Sequence, residues 1–421
     1  MRSPCAAAPL LVLFELFAFG QKAAGDDWLT WGGKNRDFIV TAPVKLADSW
    51  PPAGPKRLWI RPLGDGYSAI AVEKSILYTA FRRGGQDVVT ALDASSGKTL
   101  WEFGYDNPFK NSFSEKVGPG PYAMPQIVGD RLFTASGTGK IHALDKKTGK
   151  VIWRHDLYNE FHATRLEFGY SCHGLPYKDT IIYQTGGDGD AMIAFRQSDG
   201  AVAWKGLRFK NSHASPILIQ VDGQTQAAGV AANSVFGFNP DNGALLWSHP
   251  HVTNYGLAVS TPVWAPRAGN ILFVASAYGT GGRALQLSQS GGKTTARELW
   301  ADTHHQLHLG NAIEKDGTVY FSRSYDGPVF TAAVDLKTGA IKWQNRGFAK
   351  AQLLAADGKM ILADQDGTLA LCRMTPQKLE ILSKASILEN IAWTPPTLVG
   401  TTLYLRDRKT IAAYDVGAVR K

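Results

Sequence analysis

The chain has 421 residues, with 45 Lys and Arg against 36 Asp and Glu, a formal net charge of +9, and 11% aromatic residues. The basic residues are scattered in groups such as Arg82-Arg83, Lys146-Lys147 and Arg406-Asp407-Arg408, with no concentrated stripe, which excludes a nucleic-acid-binding face. The one long apolar run, 6–20, falls short of the roughly 18 residues that a membrane span requires.

In chain order, the first element is that apolar run. Arg2 precedes it and Ala23-Ala24-Gly25 places small residues at a cleavage position, so residues 1–25 read as a signal peptide and 26–421 as one exported domain, periplasmic or extracellular. Cys5 lies before the run; a lipidated cysteine would follow it, so no lipid anchor is expected.

Next comes an isolated strand-like run, Lys56-Arg57-Leu58-Trp59-Ile60, and then a phrase that recurs to the end of the chain. Its clearest copies are Ala91-Leu92-Asp93 to Gly97 and Trp101, Ala143-Leu144-Asp145 to Gly149 and Trp153, and Ala333-Val334-Asp335 to Gly339 and Trp343. Looser copies end at Trp204 and Trp247. The apolar run before each Asp is β-prone, Asp and Gly supply the turn, and the residues up to Trp form a second strand. The Trp is suited to covering the seam between neighbouring sheets, so Trp59, Trp101, Trp153, Trp204, Trp247, Trp300 and Trp343 are read as blade-sealing residues.

Two further strand-like runs precede each hairpin, such as Gln126-Ile127-Val128 and Arg131-Leu132-Phe133-Thr134. Four short antiparallel strands per unit of about 40–50 residues define a β-propeller blade. Hairpins near Asp93, Asp145, Arg196, Asn239, Gln286, Asp335, Leu371 and Asp415 give eight blades. The last lacks a strand after its Asp, and Lys56–Ile60 is expected to supply it, closing the ring without an open edge. The fold is therefore all-β, an eight-bladed β-propeller. Cys172 and Cys372 fall in opposite blades, so no disulfide joins them.

Three places are candidates for chemistry. Asp302-Thr303-His304-His305-Gln306-Leu307-His308 lies in a linker without a helix to bring its imidazoles together, and reads as polar loop histidines. Gly186-Gly187-Asp188-Gly189-Asp190 lacks the glutamate that closes a calcium loop and reads as a hairpin turn. The third place is the ring formed where the innermost strands begin. Tyr67, Tyr170, His213, His308, Lys350 and Trp393 converge there as a rim of aromatic and polar groups, a site for a small ligand, a peptide or a protein partner. No catalytic or metal-binding residue is assigned.

The phrase Ala-Leu-Asp-x-x-Thr-Gly-x-x-x-Trp resembles the quinoprotein repeat of pyrroloquinoline-quinone (PQQ) dehydrogenases, and the chain is similar over residues 26–417 to exported bacterial quinoprotein-like propellers. Trp31-Gly32-Gly33-Lys34-Asn35-Arg36-Asp37, Ala214-Ser215-Pro216-Ile217, Tyr278-Gly279-Thr280-Gly281-Gly282 and Trp393-Thr394-Pro395-Pro396 belong to that likeness. In the dehydrogenases, the resemblance implies adjacent cysteines over the quinone, a calcium ion and a catalytic Asp. This chain has no adjacent cysteines, so no cofactor is expected, PQQ and calcium entering only under the alternative of a quinone-dependent dehydrogenase. A second relative, the outer-membrane assembly lipoprotein, implies a scaffold. The expectation is a monomeric binding or scaffolding module with a partner in the cell envelope.

Overall fold

A computed structural model describes residues 27–323 and 327–418; the signal peptide expected at 1–25 lies outside the described residues. The strands form eight antiparallel sheets of four. Their first strands are Ala71–Glu73, Gln126–Val128, Leu175–Tyr177, Ile217–Val221, Val263–Ala265, Ala312–Lys315, Ala351–Ala356 and Thr397–Val399. These surround the axis, and the second and third strands are mostly buried, except where the long third strands Gly187–Arg196 and Gly281–Ser290 run out into solvent at one end. The fourth strands alternate exposed and half-buried positions, as expected where one face of an edge strand meets solvent. Two single-turn helices, Ser114–Val117 and Leu157–Glu160, lie in connections between blades.

The repeat residues act at the seams. Asp93, Asp145 and Asp335 each accept two backbone N–H groups inside their own turn, for example from Lys147 at 3.1 Å and Thr148 at 2.8 Å on Asp145. Hydrogen bonds from the Ser95 and Ser96 hydroxyls to Asp93 and from the Thr148 hydroxyl to Asp145, with the backbone bonds adding to them, hold those carboxyls below the usual aspartate range. At Asp335, where burial pulls the other way, the Lys342 ammonium, the Thr338 hydroxyl and the backbone bond prevail. Gly149 closes its turn at φ 71°, and a Cβ there would sit 2.6 Å from the Trp101 ring of the preceding blade. The position therefore demands glycine twice over, by backbone conformation and by space. The indole N–H of Trp59, Trp101, Trp153, Trp204, Trp300 and Trp343 then donates to a turn carbonyl of the next blade at 2.7–3.1 Å.

Trp247 departs from this pattern. Its N–H donates to Gln226 Oε1 within its own blade, and Gln226 in turn reaches Thr294 of the fifth blade at 2.6 Å. The reason is the fifth blade's hairpin, which turns at Gly291-Gly292 between Gly281–Ser290 and Lys293–Asp302. The expected turn near Gln286 is thus corrected: Gln286 sits mid-strand opposite Arg297. Likewise the seventh hairpin turns between Thr375 and Lys378, past Leu371. Its fourth strand, Leu379–Ser386, carries no Trp; Trp50, from the segment before the first strand, is buried there and donates its backbone N–H to Ser383.

Lys56–Pro62 pairs antiparallel with Thr410–Asp415, Trp59 opposite Ala413, and completes the eighth blade. The seam between the eighth and first blades is further held by Arg406. Its buried guanidinium donates to the carbonyls of Gly66, Ser68 and Ala80 and to Thr79 Oγ1, at 2.8–3.0 Å.

A plugged channel as candidate functional site

The residues before the first strand cross the centre of the ring. Trp28 bridges to Val72 in the first blade, Leu29 C=O accepts Ile127 N–H in the second, and Ile39 bridges to Ala355 in the seventh. Such a crossing needs abrupt turns. Gly32, Gly33, Arg36 and Phe38 all take positive φ, and a Cβ on Gly32 would lie 2.7 Å from the Arg36 backbone. Trp31 spans the axis: its ring stacks on His173 of the third blade with centroids 4.2 Å apart, and its N–H donates to Thr261 Oγ1 of the fifth at 3.0 Å.

Between this segment and the fourth to sixth blades lies a cavity of about 1280 Å³. It is lined from the rim residues at one face to the turn Glu314-Lys315-Asp316-Gly317 at the other. Leu257, Val259, Pro262 and Val263 make an apolar wall, while Arg36, His173 and His213 bring polar groups to it.

The structure places four of the six rim residues on that cavity: Tyr67, His213, His308 and Trp393. Tyr67 stacks on Trp393 at 4.8 Å and runs parallel to Tyr122 at 6.1 Å, with its hydroxyl donated to Val117 C=O. Lys350 stands behind them, its ammonium donating to His308 Nδ1 at 2.9 Å; His308 Nε2 meets Tyr278 OH at the same distance. Burial, and then the Lys350 charge, lower the His308 pKa to about 4. His213 Nδ1 pairs with Ser171 Oγ at 2.8 Å, and burial lowers its pKa to about 4. Tyr170 does not join them. It is fully buried in the third blade with its hydroxyl donated to Gln184 C=O, and its neighbour Ser171 lines the cavity instead. In extended backbone adjacent side chains point to opposite sides, so a one-residue offset separates core from channel.

The other two candidate places are held by local partners. Asp188 pairs with Arg208 and Asp190 with Lys205. His304 hydrogen-bonds Asp302, and His305 reaches Gly339 C=O across the seam to the sixth blade. Among the described residues no three His, Cys, Asp or Glu side chains gather closely enough to hold a metal ion. Cys172 and Cys372 are buried and unpaired with each other, and burial pushes both thiols up to about 12.

Sequence reasoning assigned no role to Trp31, Arg36 or His173. The available signal was Trp31–Asp37 itself, a segment rich in Gly and charge that belongs to no blade.

Eight sheets of this repeat, sealed by Trp and Gly, define a PQQ-repeat β-propeller. The chain belongs to the family described as outer membrane protein assembly factor BamB, whose family profile matches residues 85–345. It is 24% identical over 344 residues to the outer membrane protein assembly factor BamB of Moranella endobia (strain PCIT), covering 79% of this chain and 72% of that protein. Among solved structures it is similar to BamB from Moraxella catarrhalis, with TM-score 0.60, 18% identity, and coverage of 86% of this chain and 99% of that one. It is also similar to the quinohemoprotein alcohol dehydrogenase from Comamonas testosteroni, with TM-score 0.65, 12% identity, and coverage of 96% and 82%. Identities this low show a shared fold only.

Proposed function

We propose that this propeller is a non-catalytic binding and scaffolding module of the cell envelope, taking a protein partner on the face where the inner strands begin. The observation that carries it is the apolar character of the connections around the channel mouth. Exposed Phe113 lines the opening, and Tyr255, 83% exposed and in the same connection as Val252, 63% exposed, meets the lining Tyr278 edge-on. Large apolar side chains left in water beside a rim of stacked aromatics mark an interaction surface. Export, expected from residues 1–25, and membership of an assembly-factor family both support an envelope location. The alternative is a quinone-dependent dehydrogenase; among the described residues no three His, Cys, Asp or Glu side chains cluster as a metal site, and no two cysteines are adjacent.

The test is site-specific photo-crosslinking in the native cell, with the probe at Tyr255 or Phe113 and, as control, at exposed Leu245 on an outer strand. A discrete adduct from the mouth positions only, lost in a Val252→Ser/Trp393→Ala variant, is the expected result. Identical adducts from all positions, or none from the mouth, would overturn the reading.

A further inference from the structure

Arg36 is 9% exposed and its burial lowers its pKa to about 10, so it remains charged in a poorly solvated place. Only one of its nitrogens is engaged. Nη1 makes two long bonds of 3.4 Å, to Gln126 Oε1 and Gly174 C=O, while Nε and Nη2 have no partner among the described residues. The adjacent carboxylate does not serve it: Asp37 accepts the Ile39 N–H at 3.0 Å. A guanidinium kept only to pin the segment would donate from both terminal nitrogens at ordinary distance, as Arg406 does from Nη1 and Nη2 at 2.8–3.0 Å.

His173 stands next to it, 6% exposed. Met124 N–H donates to its Nδ1 at 2.8 Å, which fixes the tautomer with the proton on Nε2. Burial and the Arg36 charge hold the ring neutral, well below the ordinary histidine range. A buried cation lacking a counter-charge and a fixed neutral N–H donor thus line one cavity, facing the apolar wall of Leu257, Val259, Pro262 and Val263. A charge buried without its partner is costly, and costs of this kind persist where a ligand completes the pair.

We propose that the plugged channel binds a small organic carboxylate, its carboxylate at Arg36 and His173 and its apolar body along that wall. The planar fork of arginine suits a carboxylate. The site lies deeper than the mouth and does not depend on a docked protein, so failure of either proposal leaves the other standing.

The test titrates the mature protein with 4-phenylbutyrate, with the alcohol 4-phenylbutan-1-ol, and with inorganic phosphate, by calorimetry and by melting temperature. The acid is expected to bind and raise the melting temperature, with the alcohol and phosphate each about tenfold weaker or worse. Arg36→Met is expected to lose the acid by a similar factor while melting at or above the wild-type temperature, because it removes an unpaired buried charge. A merely structural arginine would show the reverse, a lower melting temperature and unchanged affinity. In the wild-type protein the Arg36 Nε–H resonance should shift on adding the acid, which keeps the test decisive if the variant fails to fold. Equal binding of acid and alcohol, full binding by the variant, phosphate binding with the acid excluded, or an unmoved Nε–H resonance each overturns the proposal.

Discussion

Replacing Arg406 with Met tests whether the ring is locked at its closing seam. The substitution keeps most of the aliphatic volume and removes donors to three carbonyls and one hydroxyl of the first blade, in a place without solvent. Leaving a buried acceptor unmet costs about 1–3 kcal/mol, and relief from burying a charge offsets part of the sum. A net loss of about 4 kcal/mol follows on those two magnitudes. At about 2.1 cal/mol/K per residue over roughly 390 residues, the entropy of unfolding is about 0.8 kcal/mol/K, so the melting temperature should fall by about 5 °C. Calorimetry and urea unfolding followed by tryptophan fluorescence measure both quantities. A variant within about 1 kcal/mol of the parent would refute the reasoning, because it would mean that the seam finds other donors.

Stability should also fall on acidification. Burial lowers His142 and His213 to about 4 and His251 to about 3 from the usual 6.5. The unfolded chain binds protons first, so their contribution is whole above pH 6.5 and is lost as pH falls, by about 2 kcal/mol each at pH 5. Asp87, raised by burial to about 6, acts oppositely between pH 6 and 4 and offsets part of the loss. Urea midpoints at pH 7.5, 6 and 5 that stay level or rise would contradict this balance. Gly149→Ala should cost about 3 kcal/mol, from positive φ plus displacement of the Trp101 ring, whereas Gly84→Ala, also at positive φ but with open space around it, should cost about 1; equal losses in thermal melts would dismiss the packing part. Cys172 and Cys372 should resist an aromatic disulfide reagent in the native state and react on unfolding; native labelling would show that their blades open. Lys350→Met should raise the His308 pKa by removing a neighbouring charge, and a histidine titration by NMR that shows no rise would discount that pairing.

The blades were legible because each is built from local contacts that leave a local mark. Asp93, Asp145 and Asp335 bond within four residues, and Trp recurs because the same indole-to-turn contact is used at six of the seams. The degenerate copies hid their turns: in the fifth blade the strand runs past Gln286 to Gly291, and no Asp marks the bend. Tyr170 was misplaced by a single step, because a rim position read from the repeat does not fix which of two adjacent side chains faces the axis. The plug was not legible. Trp31 meets His173 and Thr261, partners set by ring closure and not by sequence distance, and a segment with four positive-φ residues in a short span carries no period to read.

The pairing of Lys56–Pro62 with Thr410–Asp415 has a consequence in time. Synthesis proceeds from the N-terminus, so among the strands of the eight sheets the outer strand of the last blade emerges first and its partner emerges last. Seven blades can mature in order while that early strand waits with an unpaired edge, the state in which β-proteins associate wrongly. The pairing that makes the ring seamless is thus also the last to form and the longest-range among the strand pairings of the eight sheets, and a lesion near Thr410 should be felt first as failure to fold during synthesis.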